Sequence, residues 1–124
     1  MTKNVLGFIS AKLTQAGINY EYGEWNSPVR YPYFVGTYNE YEPTEEDGLH
    51  EVDFTLDGFS RGSWITLENA RETIERAFYD CTAILDNGSG VDISYGGALI
   101  VPTGDAELKR IQITLKIKEW KVNI

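Results

Sequence analysis

Cysteine occurs once in this chain, as Cys81, and histidine once, as His50. One thiol excludes an intramolecular disulfide framework, and one thiol with one imidazole is too few for a Cys/His zinc site. Long apolar runs are also missing: nothing approaches the ~20 residues that a membrane-spanning helix needs. The opening stretch MTKNVLGFISAKLTQ interrupts its apolar positions with polar ones and lacks the apolar core and small-residue cleavage site of a secretory leader. An intracellular, reducing origin is therefore expected. Positive charge is scarce. Eleven Lys and Arg against 19 Asp and Glu give a net charge of −8, the wrong sign for a surface that neutralises phosphates. Neither sequence-specific nucleic-acid binding nor membrane association is expected.

What is present suits one folded domain covering residues 1–124, with 42% hydrophobic and 24% charged residues. Thr2 can cap a helix over about 3–16, whose Val5, Phe8, Ile9 and Leu13 share one face while Lys3, Lys12 and Gln15 face water. Gly17 ends it in a left-handed conformation. Residues 18–29 read as a short edge strand running into a loop, because Pro28 and Pro32 limit ladder pairing around Val29 and Tyr31. A second helix is expected over about 67–81, capped by Thr66, with Glu68 in its first turn. Leu67, Ala70, Ile74, Ala77, Phe78 and Cys81 lie on its apolar face, and Glu72 and Arg76 stand at the favourable i, i+4 spacing.

Period-two alternation marks the strands. Residues 33–41 are rich in aromatic and β-forming side chains. After an acidic turn containing Pro43 and the Asp47-Gly48 pair, HEVDFTLDGF alternates, with Val52, Phe54 and Leu56 on one side and Glu51, Asp53, Thr55 and Asp57 on the other. The last strand sets Ile111, Ile113, Leu115 and Ile117 against Arg110, Gln112, Thr114, Lys116 and Lys118. If these strands are neighbours, Glu51, Asp53 and Asp57 face Arg110, Lys116 and Lys118. Between them, VDISY and ALIV read as two short strands separated by a break or bulge at Gly96-Gly97. The expected fold is α+β, a two-layer sandwich of a mainly antiparallel sheet with two helices packed on one face.

Chemistry is harder to find. His50 has no nucleophile in motif context, and Cys81 on an apolar face behaves as a small hydrophobe. The acids Glu40, Glu42, Glu45, Glu46 and Asp47 suggest a hard-cation loop but lack the spacing of an EF-hand, so a solvated turn is expected. The glycine-rich runs lack the Lys-Ser/Thr of a phosphate loop. No catalytic residue, cofactor or metal is therefore assigned. The aromatics Tyr20, Tyr22, Trp25, Tyr31, Tyr33, Phe34, Tyr38 and Tyr41 are too many to bury together in a domain of this size. They suit a packed sheet, a protein interface or a surface for stacking sugar rings.

Several stretches carry a family resemblance: YPYF at 31–34, YEPTEEDG at 41–48, FTLDGFSRGSW at 54–64 with the helix after it, and RIQITLKIKEW at 110–120. Together they resemble the tail-completion and tail-terminator proteins of Gram-positive siphophages and prophages. That resemblance implies a non-enzymatic α+β subunit of the virion tail, made in the bacterial host cytoplasm. It also implies a homo-oligomeric ring, often a hexamer, that closes the tail tube and contacts tube and head-tail connector proteins. On this reading Tyr31, Tyr33, Tyr38, Tyr41, Arg61 and Trp64 are expected at subunit or tube contacts. Glu51, Asp53 and Asp57 would form an acidic strand face toward the lumen or a partner, repelling DNA if it lines the lumen. The alternative is a small carbohydrate- or ligand-binding module that uses the surface tyrosines and tryptophans.

Overall fold

The alternating strand extends beyond its expected end. In the computed structural model, which describes residues 1–42 and 48–121, the element order is α1 Lys3–Gln15, β1 Tyr20–Tyr22, β2 Tyr33–Glu40, β3 Leu49–Arg61, α2 Trp64–Ala77, β4 Cys81–Ile84, β5 Gly90–Ile100 and β6 Leu108–Trp120. The strands form one sheet in the order β1-β2-β3-β6-β5-β4, antiparallel throughout except that β1 runs parallel to β2.

Register explains the two layers. Val52 pairs with Ile117, Phe54 with Leu115 and Leu56 with Ile113, so the apolar alternations of β3 and β6 fall on the same side. Phe34, Val91 and Ile93 extend that side across β2 and β5, and Val5, Ile9, Leu13, Leu67, Ala70 and Ile74 of the helices belong to the same buried core. The fold is α+β, with both helices covering one face of a six-stranded, mostly antiparallel sheet. The other face carries no covering layer among the described residues.

The helices differ in how well their ends were anticipated. Thr2 caps α1 by accepting the Val5 N–H, and Gly17 adopts φ +78° just beyond the helix. In α2 the cap is Ser63, whose Oγ accepts the Ile65 N–H at 3.1 Å, so the helix begins three residues earlier than Thr66 predicts. Glu68 therefore lies past the first turn, and it bonds Arg71 at 2.9 Å. Glu75 takes the same guanidinium at 2.9 Å and Tyr95 Oη accepts from it at 3.1 Å, so Arg71 is a bridge from α2 to β5 instead of a solvated surface residue. Arg76 donates to Thr73 instead of pairing with Glu72.

The C-terminal end of α2 also corrects an expectation. Asp80, at φ +51°, turns the chain. Cys81 consequently starts β4, opposite Ile93, instead of closing the helix. Its thiol remains buried, and that burial pushes its pKa up. Residues 90–100 form one strand, not two, because Gly96 and Gly97 together face the single Thr114 in a bulge. A Cβ at Gly96 would sit 3.0 Å from the Thr114 carbonyl oxygen, and Gly97 adopts φ +111°. The Gly58–Arg61 end of β3, expected as a connection, is strand as well.

Candidate interaction surface

The uncovered sheet face begins with the rung Tyr33, Phe59 and Arg110, one residue from each of three adjacent strands. Tyr33 and Phe59 stack with ring centres 5.1 Å apart, and the Arg110 guanidinium lies 5.6 Å above the Phe59 ring. Arg110 is held there by Asp57, which accepts from Nη2 at 2.8 Å and from Nε at 3.1 Å. Trp25 joins from the loop after β1. Glu21 accepts the Asn26 and Ser27 N–H groups at 3.1 and 3.3 Å, folding that loop back so that Trp25 packs 4.8 Å from Tyr33.

Tyr31 continues the cluster 5.7 Å from Tyr33, and Arg61 lies over its ring while donating to its hydroxyl at 3.2 Å. Arg61 also approaches Asp105 at 3.6 Å. Burial, together with neighbouring Tyr31, raises the Tyr33 pKa. The result is a corner of aromatic rings edged by two guanidinium groups. Within it the Trp25 Nε1–H is buried without an acceptor.

Along the same face the charges are paired. Lys116 donates to Asp53 at 2.8 Å and Tyr41 Oη donates to it at 2.7 Å. These two bonds, Lys116 first, hold the Asp53 carboxyl below the usual carboxylate range. Glu51 stands opposite Lys118, and Lys118 stands opposite Asp92 on its other side. Glu51, Asp53 and Asp57 do share one face, as expected. That face carries both signs, because β6 pairs Asp53 with Lys116 and Asp57 with Arg110 and sets Lys118 opposite Glu51.

The six aromatic and arginine positions expected at contacts divide into groups. Tyr31, Tyr33 and Arg61 meet in the corner, and Tyr41 lies further along the face with Asp53. Tyr38 has the opposite parity: it is half-buried on the helix-covered side and stacks with Tyr22 at 6.3 Å. Trp64 opens α2 and contacts Lys109, whose Nζ lies 5.6 Å from its ring centre. Phe59 and Arg110 were missed as corner residues, although the period of two in their strands already pointed both outward.

Of the remaining candidates, His50 stands opposite Glu119 on β6. Glu40 binds the N-terminal amine of Met1, and Glu42 is exposed. Glu45, Glu46 and Asp47 lie outside the described residues. Among the described residues no group of three or more His, Cys, Asp or Glu side chains is placed to hold a metal ion. No helix of the described residues is long and apolar enough to cross a membrane. No family model matches the chain, and no curated protein matches it.

Proposed function

We propose that this chain is a non-enzymatic structural subunit of a phage or prophage tail, completing or terminating the tail tube at the head-tail junction by ring-type self-assembly. The observation that carries the reading is the corner of Trp25, Tyr31, Tyr33, Phe59, Arg61 and Arg110 on a sheet face with no covering layer. Aromatic and arginine side chains are the types that dominate protein contacts, because each presents a large rigid area with a polar tip. The family resemblance supplies the tail. Charge pairing over the rest of the face supports a packed contact better than a bare acidic lumen, since paired groups lose less on desolvation than isolated ones.

Binding of the purified chain to its cognate tail-tube protein tests the reading. A complex is expected, weakened about tenfold or more by the double substitution Tyr31→Ser and Arg61→Ser, with the folded circular dichroism signal unchanged. Absence of both self-association and tube binding would remove the proposal. One observation favours a second reading, a carbohydrate-binding module: the Trp25 N–H without an acceptor beside stacked rings. Sugar-dependent quenching of tryptophan fluorescence that disappears in Trp25→Phe would support that module instead.

A further inference from the structure

The sheet ends in two incomplete edges on opposite sides. On one side β4 pairs with β5 only as far as Ile93, so the rest of β5 to Ile100 has no strand beside it among the described residues. On the other, β1 covers β2 only from Phe34 to Gly36, leaving Thr37 to Glu40 without a neighbour there. Backbone polarity follows from the ladders. Val101 N–H donates to Arg110 and Tyr41 N–H to Glu51, so alternation turns the amide groups of Ala98 and Ile100, and of Tyr38 and Glu40, away from their own sheet. Unpaired strand edges of this kind are templates for another strand.

The side chains beside the two edges are complementary. The β5 edge is aliphatic, with Leu99 56% and Ile100 58% exposed, whereas the β2 edge is flanked by Tyr22 and Tyr41, 48% and 50% exposed. Residues 94–101 contain no charged residue, and both Lys109 and Glu68 lie beside them; at the β2 edge Glu40 is paired with the Met1 amine and Glu42 is exposed. The bulge at Gly96-Gly97 interrupts the β5 edge and confines regular pairing to its last residues. The open segment of β2 is similarly short.

We propose that the 98–100 edge of β5 in one copy pairs with the 37–40 edge of β2 in a second copy, continuing the sheet from subunit to subunit. This rests on the self-assembly reading and locates its contact. Because the two edges differ, the contact is heterologous, the type that closes into a ring when each step adds a fixed rotation. The aliphatic side chains of one copy then cover the tyrosines of the next. The aromatic corner on the open face is left for a different partner.

Sedimentation velocity on three forms of the full chain tests the proposal. Leu99→Lys with Ile100→Lys blocks the β5 edge, and Thr37→Lys with Asn39→Lys blocks the β2 edge; all four positions are exposed, so both variants keep the native thermal transition. Wild type associates, and each blocked variant is monomeric at concentrations about tenfold higher or more. Mixing the two variants gives a dimer and nothing larger, since one intact edge of each kind remains. Blocked variants that assemble like wild type overturn the edge pairing while leaving self-assembly standing, as does a mixture that stays monomeric. A wild-type chain that is monomeric throughout overturns the self-assembly reading itself.

Discussion

Phe34 and Phe54 lie in hollows made by glycine. Phe34 faces Gly58 across the β2–β3 ladder, and a Cβ at Gly58 would overlap its ring, while a Cβ at Gly36 would stand 2.6 Å from Phe54 Cζ. Neither glycine has a positive φ, so the requirement is for space, not backbone conformation. Gly58→Ala is expected to cost about 1–3 kcal/mol through overpacking, measured as a lower urea midpoint at unchanged slope. A second residue-scale device joins the helix layer to the sheet. Glu119 is fully buried, and its carboxyl oxygens accept from the Thr2 hydroxyl at 2.7 Å and the Thr2 N–H at 3.3 Å. The same hydroxyl caps α1. Thr2→Val removes the cap and one partner of a buried acid together, so a loss of about 1–3 kcal/mol is expected, with strong coupling to Glu119→Gln in a double-mutant cycle. The inward position of Glu119 was legible, since it follows Ile117 by two residues. Its partner was not, because Thr2 reaches it only through the packing of α1 on β6.

Elements whose periodicity was strong were read correctly, and the errors lie where two local signals competed. Both Ser63 and Thr66 are acceptable caps. The structure uses Ser63, leaving Trp64 and Ile65 exposed in the first turn. Ser63→Ala should therefore cost about 0.5–2 kcal/mol in chemical denaturation, and Thr66→Ala much less. At the other end of α2, nothing in the apolar spacing distinguishes Cys81 as a helix residue from Cys81 as a strand residue; the reversal at Asp80 decides it. The ion pairs were expected only on the condition that β3 and β6 are neighbours; the strands are adjacent, and Asp53–Lys116 and Asp57–Arg110 form. The Asp53 carboxyl is depressed in the folded chain. Its contribution is therefore present above the unfolded value, near pH 4, and is lost as pH falls through the lower folded value. Asp53→Asn should flatten the acid limb of the stability curve below about pH 4, and cost no more than about 1 kcal/mol at neutral pH because the pair is partly solvated.

At the scale of the whole molecule, a helix-covered sheet with one open face was legible from composition and alternation alone. The surface on that face was only half legible. Tyr31, Tyr33 and Arg61 were expected at contacts on the family resemblance, but the corner also needed Phe59 of β3 and Arg110 of β6. The loop fold set by Glu21, which brings Trp25 onto Tyr33, depends on backbone hydrogen bonds that no spacing reveals. Strand order decided the charge of the face, since β6 lies beside β3 and brings its lysines and arginine with it. Self-assembly is tested by native mass spectrometry of the purified chain over a concentration series. A closed oligomer of one defined stoichiometry is expected, a hexamer on the family resemblance, dissociating to monomer on dilution. A monomer at every concentration, or an open-ended ladder of sizes without a preferred closed form, would contradict it.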